Sequence, residues 1–222
     1  MSFTIAIDGP AGAGKSTIAK RASKELSFIY VDTGAMYRAI ALGLLRKSVD
    51  IEDRAALAGA LEEISVEIQY VDGEQRVYLN GEDVSPLIRT ERVSDMTSRS
   101  SAKPQVRAKL THLQRELAAR ENVLMDGRDI GTMILPDADL KIYLTASVET
   151  RAERRYLELT GKGEQCDREE IAEDIRERDY RDMHRETAPL RQAEDAILID
   201  SSDMTIEEVV AEIIRLAKER MG

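Results

Sequence analysis

The strongest constraint on the fold of this chain is a glycine-rich segment that directly follows a short apolar run. Residues 3–7 are apolar and rich in β-branched side chains, which is typical of a buried strand. The next segment, GPAGAGKS at residues 9–16, matches the pattern G-x-x-x-x-G-K-[ST]. A helix with Ile18, Ala22 and Leu26 on its inner face is predicted to begin at about Ser16. A strand, a glycine loop and a helix in this order predict a phosphate-binding loop.

Each part of this loop has a physical role in holding a triphosphate. Glycines allow successive backbone N–H groups to turn toward phosphate oxygens, and the helix N-terminus adds the positive end of its dipole. Lys15 is expected to reach the β- and γ-phosphates of ATP, Ser16 to hold Mg²⁺, and Thr17 to contact the α-phosphate. The expected ATP-binding residues are Gly9, Pro10, Ala11, Gly12, Ala13, Gly14, Lys15, Ser16 and Thr17.

Four further apolar segments predict the other strands of a sheet. They lie at residues 28–31, 123–125, 140–144 and 196–199, and helical patterns separate each from the next. This alternation is typical of a parallel sheet with helices on both faces, so the sequence predicts an α/β fold with five parallel strands. A last helix is predicted after residue 203, with a core-facing stripe of Ile206, Val209, Val210, Ile213 and Ala217.

One stretch interrupts the alternation of strands and helices. Residues 64–71 alternate with a period of two, Asp72 and Gly73 offer a hairpin turn, and residues 76–79 form the returning strand. A second turn at Asn80-Gly81 leads to a third short strand at residues 82–84. We therefore predict a small antiparallel insert at residues 50–105, with residues 1–49 and 106–222 forming the core domain.

Composition limits the partners that this chain is expected to have. The formal net charge is −10, which repels nucleic-acid backbones and anionic membranes and argues against both as main partners. Cys166 is the only cysteine, and no apolar stretch has the length of a membrane span, so a cytoplasmic location is expected. No long exposed apolar stripe is evident, and we expect a monomer.

Arginine is unusually frequent for an acidic chain, with 23 arginines against 9 lysines. Arginine captures phosphate in a planar, bidentate manner, so its clusters mark candidate sites for anions. In the helix predicted around residues 167–186, the stripe that begins with two isoleucines, 171 and 175, continues to Arg178, Asp182 and Arg185. A face that begins as core and ends in charge predicts that these arginines meet an anion. For Arg176 and Arg181, a solvated ion pair remains an equal alternative.

Residues 157–167, which include Gly161 and Gly163, are predicted to be a mobile connection between two arginine-bearing helices. We interpret residues 155–170 as a lid. A kinase has to exclude water from the γ-phosphate, because otherwise it hydrolyses ATP, and a closing flap that carries arginine serves this purpose.

Four motifs together resemble those of bacterial cytidylate kinases, which belong to the nucleoside monophosphate kinases of the P-loop superfamily. The motifs are GPAGAGKST at residues 9–17, DTGAMYR at 32–38, DGRDIGT at 126–132 and RDMHRETAPL at 181–190. The similarity extends from the first strand to the last helix. The inserted sheet also resembles the enlarged monophosphate-binding region of that family. The resemblance implies the fold of that family, with its antiparallel insert and its lid.

The resemblance also implies roles for residues outside the loop. Thr33 and Tyr37 are implied to line the acceptor pocket, and three arginines, Arg38, Arg128 and Arg185, to clamp the acceptor phosphate. The base-reading residues that it implies are Ser98, Arg107 and Asp129. Arg178 and Asp182 are implied to approach the sugar hydroxyls, either Arg154 or Arg155 to act with the lid, and residues 200–202 to lie near the adenine of ATP. The implied catalytic residues are Lys15, Arg128, Arg154, Arg155, Arg178 and Arg185.

The expected reaction is transfer of the γ-phosphoryl group of ATP to CMP or dCMP, with Mg²⁺ as the cofactor. Asp126 ends an apolar strand and has two open interpretations, because it either supports Mg²⁺ through water or caps the following turn. One alternative function is phosphorylation of another small metabolite, such as UMP or AMP. A nucleotide-gated regulatory switch is a more distant alternative, and it is disfavoured by the arginine-rich lid and the absence of an Asn-Lys-x-Asp guanine motif.

Overall fold

The computed structural model describes residues 2–222. The described residues form eight strands: β1 (Thr4–Asp8), β2 (Ile29–Asp32), β3 (Val66–Val71), β4 (Glu74–Leu79), β5 (Glu82–Asp83), β6 (Val123–Gly127), β7 (Leu140–Thr145) and β8 (Ile197–Asp200). They also form eight α-helices: α1 (Lys15–Leu26), α2 (Thr33–Arg46), α3 (Arg54–Glu62), α4 (Glu91–Ser100), α5 (Pro104–Arg120), α6 (Val148–Gly161), α7 (Arg168–His184) and α8 (Ile206–Met221). A π-helical turn spans Ile130–Ile134.

The strands form two sheets, as the sequence predicts. The larger sheet has five strands in the order β2-β6-β1-β7-β8, and the pairs that β1 makes with β6 and β7, and β7 with β8, are parallel. The smaller sheet has the order β3-β4-β5, and both of its pairs are antiparallel. The predictions of an α/β fold with five parallel strands and of a small antiparallel sheet are therefore confirmed.

The chain divides into two compact units, which are described separately. Unit 1 comprises residues 1–30 and 118–222, and unit 2 comprises residues 31–117. The predicted insert at residues 50–105 falls within unit 2, which also contains α2. Among residues 2–222, every helix is too short or too polar to cross a bilayer.

The core of unit 1 lies between its sheet and the helices α1 and α8. Side chains of β1, β6 and β7 are fully buried there because both faces of a parallel sheet are covered. Helix α8 begins with a capping box, in which Thr205 and Glu208 satisfy each other's backbone N–H groups. Its predicted stripe is buried except for Ile206, which is 39% exposed. The prediction was wrong for Ile206, because this residue is the first of the helix and precedes the turns that pack against the core of unit 1.

Helices α6 and α7 form a second, smaller apolar cluster in unit 1. Its members are Val148, Ala152, Ile171, Ala172 and Ile175. Helix α6 continues to Gly161, so the connection between the two helices is limited to residues 162–167. The predicted connection at residues 157–167 was therefore too long at its start.

In unit 2, helix α2 packs against β4 of the small sheet and against α4. Gly43 of α2 allows this helix to approach the small sheet closely. A Cβ atom at this position would lie 2.9 Å from Cδ1 of Ile64 and 3.4 Å from Cδ1 of Leu79. Helix α3, which Asp53 caps through the N–H groups of Ala55 and Ala56, was not predicted.

Candidate active site

The glycine loop of unit 1 has a conformation that only glycine tolerates at its first position. A Cβ atom on Gly9 would lie 1.9 Å from the carbonyl oxygen of Leu144 in β7, which is a clash with backbone. Gly12 and Gly14 have φ angles of +75° and +80°, in the left-handed region that favours glycine. Gly14 caps α1 without a side chain, so the first N–H groups of this helix face the loop rather than a capping oxygen.

Lys15, the first residue of α1, is buried beneath this loop. Its ammonium group donates hydrogen bonds to the carbonyl oxygens of Gly9 at 2.8 Å and of Pro10 at 2.6 Å. Burial lowers the pKa of Lys15 well below its ordinary value, and the positive charge of Arg128 lowers it further, with a smaller contribution from Arg178. Two arginines of unit 1 therefore lie close enough to act on the charge of Lys15, and the carboxylates of Asp126 and Asp8 partly offset their effect.

The parallel register brings Arg128 to the loop. Asp8 at the end of β1 pairs with Gly127 at the end of β6, so Gly9 and Arg128 leave the same edge of the sheet side by side. The carboxyl edge of a parallel sheet is where α/β proteins bind their ligands.

Ser16, Asp126 and Tyr30 place oxygen ligands beside the loop. The hydroxyl of Ser16 donates to Oδ2 of Asp126 at 2.9 Å, and the hydroxyl of Tyr30 donates to Oδ1 at 3.0 Å. A hydroxyl and a carboxylate suit Mg²⁺, which is usually held by one or two protein oxygens together with waters and the phosphates of a substrate. No group of three or more acidic, histidine or cysteine side chains suitable for a metal occurs in residues 2–222. The hydroxyl of Ser16 and the carboxylate of Asp126 fit a Mg²⁺ ion that arrives with a nucleotide. Both interpretations of Asp126 stay predictions.

Three arginines implied by the resemblance gather around Asp182 of α7. Nε of Arg128 donates to Oδ2 of Asp182 at 2.9 Å, and Nη1 of Arg185 lies 4.0 Å from Oδ1. Burial opposes ionisation of Asp182, but the charges of Arg128, Arg178 and Arg185 outweigh it, so its pKa lies below the ordinary value. Arg185 also lies 3.5 Å from Oδ1 of Asp129. The face of α7 that carries Arg178, Asp182 and Arg185 therefore points into the protein, as the sequence predicts.

Asp8 holds the backbone that follows Asp129. Its two carboxylate oxygens accept hydrogen bonds from the N–H groups of Ile130 and Gly131, both at 2.8 Å, at the start of the π-helical turn. Burial raises the pKa of Asp8 to about 6, against the opposing effect of these two hydrogen bonds. Asp8 was not predicted as a site residue, although a carboxylate just before a glycine loop was the available signal.

The two candidate lid arginines differ in their contacts. Arg154 donates to the carbonyl oxygen of Ser201 at 2.6 Å and to its hydroxyl at 3.3 Å, so it lies at the turn that the resemblance associates with adenine. Arg155 is exposed and pairs with Glu158 at 2.8 Å on its own helix. Thr17 is exposed on the first turn of α1. Arg176 and Arg181 are both exposed on α7, and Arg176 pairs with acidic residues on its surface.

Unit 2 holds the remaining predicted acceptor residues. Thr33 is buried at the start of α2, and Tyr37 follows one turn later beneath Arg107, whose guanidinium carbon lies 5.5 Å from the centre of the tyrosine ring. Arg38 donates to the carbonyl oxygen of Ile88 at 3.1 Å and to the hydroxyl of Ser94 at 2.6 Å. The hydroxyl oxygen of Ser98 in α4 is buried, and it has no hydrogen-bond partner among residues 2–222.

The small sheet fixes the start of α2. The side-chain amide of Gln75 in β4 bonds to both backbone groups of Asp32, accepting from its N–H at 2.8 Å and donating to its carbonyl at 3.1 Å. Asp32 in turn caps α2 and pairs with Arg89 at 3.0 Å. Gln75 and Arg89 were not predicted as site residues, because polar residues in a hairpin and a turn carry no motif.

A family model described as "Cytidylate kinase" matches residues 5–219 of the chain. A cytidylate kinase of Ligilactobacillus salivarius is 49% identical over 216 residues, which cover 97% of this chain and 96% of the relative. A cytidylate kinase of Caldicellulosiruptor saccharolyticus is 50% identical over 220 residues, which cover 99% of this chain and 97% of the relative.

The chain belongs to the cytidylate kinase family. It is therefore a nucleoside monophosphate kinase and an ATP-dependent phosphotransferase. The resemblance noted from the four motifs is confirmed over nearly the whole chain. A crystal structure of an uncharacterized protein from Eubacterium ventriosum shares the fold, with a TM-score of 0.54, 14% identity and coverage of 99% of both chains.

The raised pKa of Asp8 predicts a pH-dependent contribution to stability. Because its pKa of about 6 in the folded chain exceeds the value of 3.8 for a free side chain, folded Asp8 holds a proton over a range where the unfolded chain does not. Its contribution is complete below about pH 4 and is lost as the pH rises through about 6, a change of roughly 3 kcal/mol. The free energy of unfolding of the parent minus that of Asp8→Asn, measured with urea, is expected to fall by about that amount from about pH 4 to about pH 7. A difference that is constant with pH would contradict the assignment.

Proposed function

We propose that this chain transfers the γ-phosphoryl group of ATP to the 5′-phosphate of CMP or dCMP, giving ADP and CDP or dCDP. The observation that carries the proposal is the convergence of Lys15, Arg128 and Arg178 in unit 1. Burial of Lys15 and the positive charges of the two arginines disfavour the charge on Lys15, and an anion bound among them relieves both effects. Two nucleotides with adjacent phosphates supply that negative charge.

The glycine loop is assigned to the triphosphate of ATP. Backbone N–H groups at the start of α1 face the loop, and Lys15 is close enough to exchange the carbonyl oxygens of Gly9 and Pro10 for phosphate oxygens. Ser16 and Asp126 would hold Mg²⁺, which when bound neutralises charge on the phosphates. The contact of Arg154 with Ser201 supports a role for Arg154 at the adenine end, and Arg155, which is exposed on the last turns of α6, is the candidate to move with residues 155–170 as a lid.

The arginines around Asp182 are assigned to the acceptor phosphate. In the reaction an oxygen of this phosphate attacks the γ-phosphorus of ATP, and the bond from γ-phosphorus to the bridging oxygen of ADP breaks. The acceptor oxygen is already anionic, so it needs no strong general base, and positioning and charge neutralisation supply most of the catalysis. Arg128 and Arg185 fit this task because each can exchange a carboxylate partner for a phosphate oxygen.

The buried groups of unit 2 are assigned to recognition of the acceptor. Arg38, which like Arg128 and Arg185 carries a fork of donors, is assigned to the acceptor phosphate, and Thr33 and Tyr37 are assigned to the pocket. Ser98 and Arg107, together with Asp129 of unit 1, are assigned to the edge of the cytosine. Hydrogen-bonded readout of this kind rejects mismatched bases strongly, because each mismatch leaves a polar group unpaired.

The function is tested by measuring ADP release with ATP, Mg²⁺ and one acceptor at a time: CMP, dCMP, UMP, AMP or GMP. We expect the highest kcat/KM with CMP and dCMP. With the purine nucleotides AMP and GMP, kcat/KM is expected to be lower by a factor of at least about 10². Preference for another monophosphate would be consistent with the kinase activity but would overturn the proposal that the acceptor base is cytosine. ADP release that does not depend on an acceptor would instead favour a nucleotide-gated switch or an ATPase.

Ser98→Ala tests the assignment of base readout. Since the hydroxyl of Ser98 is buried without a partner, its removal is expected to leave the free energy of unfolding unchanged or slightly higher. The KM for CMP is expected to rise about tenfold, with an unchanged KM for ATP, because one hydrogen bond to the base is lost. Ser65→Ala, at an exposed position of the same unit, is the control and should change neither constant. An unaltered KM for CMP in the Ser98 variant would remove Ser98 from the acceptor site.

A further inference from the structure

Unit 1 contains a buried ion pair that the proposed chemistry does not use. Arg151 of α6 and Asp179 of α7 are 4% and 8% exposed, and Nη1 of Arg151 lies 2.7 Å from Oδ2 of Asp179. Nε of Arg151 also donates to the carbonyl oxygen of Ala146 at 2.9 Å. No role was predicted for either residue from the sequence. Their burial was therefore not predicted.

Both members of this pair form hydrogen bonds with the backbone of the glycine loop. Nη1 of Arg151 donates to the carbonyl oxygen of Ala11 at 2.9 Å, and Oδ1 of Asp179 accepts from the N–H of Ala11 at 3.3 Å. Both backbone polar groups of Ala11 thus have side-chain partners from α6 and α7. The aliphatic stem of Arg151 lies against the next residue, because a Cβ atom on Gly12 would be 3.4 Å from Cβ of Arg151.

A purely structural role does not account well for this arrangement. A buried ion pair seldom stabilises a fold more than apolar side chains of the same size, because both charges lose their hydration. Helices α6 and α7 already share an apolar cluster, with Ala152 and Ile175 among its members, so the pair is not needed to join them. The distinctive feature of the ion pair is that it forms hydrogen bonds with both backbone polar groups of Ala11 in the loop.

The loop is a segment for which such a restraint matters. It contains left-handed backbone at Gly12 and Gly14, and glycine is the residue with the largest conformational freedom to lose. A loop that is held in its binding shape beforehand does not lose that freedom when the ligand binds, which increases affinity. The two helices that supply the restraint are also those that flank residues 162–167, the connection within the proposed lid.

We propose that Arg151 and Asp179 are positioning residues that hold the phosphate-binding loop in the shape required for ATP. They touch neither the nucleotide nor the reacting atoms. They act through the peptide groups of Ala11, and they connect the loop to the helices on either side of the lid. The inference rests on the proposed use of ATP by this loop, and it adds a determinant of ATP affinity that is distinct from Lys15 and Ser16.

The test is calorimetric titration of the full chain with a nonhydrolysable ATP analogue and Mg²⁺, and separately with CMP, together with urea unfolding. For Arg151→Met and Asp179→Asn, we expect analogue affinity to fall about 10- to 100-fold, since hydrogen bonds to charged groups are lost from the loop. CMP affinity is expected to change less than about threefold, and the double variant to be no weaker than the worse single variant, because one restraint is removed in each case. Arg151→Lys keeps the charge but not the fork of donors, and is expected to be intermediate.

Arg176→Met is the matched control, because Arg176 makes an exposed ion pair with Glu173 on α7 and should leave the analogue affinity unchanged. If Arg151→Met does not fold, Asp179→Asn and Arg151→Lys carry the test. Unchanged analogue affinity in these folded variants would overturn the proposal. Analogue and CMP affinities that fall together in proportion to lost stability would also overturn it. Failure of the parent chain to bind the analogue would instead count against the proposed function.

Discussion

Positive charge buried at one edge of a parallel sheet is the constraint on which the rest of unit 1 depends. The register of β1 with β6 sets the glycine loop and Arg128 side by side, and Lys15 lies beneath them with a depressed pKa. Unpaired charges in such a place are costly, so nearby carboxylates accompany them, of which Asp126 and Asp182 are the most direct. The ion pair of Arg128 with Asp182 holds this arginine in position. In the proposed function, the same cations bind the phosphates of two nucleotides.

The two units divide the expected tasks between a rigid frame and a recognition surface. Unit 1 contributes charges from the ends of its strands and from α7, which packs against α6. In unit 2 the small antiparallel sheet fixes the start of α2 through the contacts of Gln75 and Arg89 with Asp32. A helix start that is held from the side in this way can place Thr33 and Tyr37 accurately, as recognition by hydrogen bonds demands.

Much of the fold could be predicted because apolar periodicity is a local signal. The five parallel strands, the hairpin at Asp72-Gly73 and the inward face of α7 follow from patterns within a few residues of one another. Contacts between distant segments left no such signal. Three such contacts each join residues more than 100 positions apart in the sequence. They are the approach of Gly9 to β7, the two hydrogen bonds that Asp8 accepts, and the hydrogen bonds of Arg151 and Asp179 to Ala11. Motif resemblance supplied the expected site residues, but it did not supply the groups that hold them.

We propose that the buried cations align two nucleotides for direct phosphoryl transfer. This proposal is tested most directly by incubating the chain with Mg²⁺ and ATP labelled at the γ-phosphorus, with and without CMP, and by following the label. We expect the label to enter the terminal phosphate of CDP, and little of it to be released as inorganic phosphate in the absence of CMP. Release of the label as inorganic phosphate at the same rate with and without CMP would contradict it.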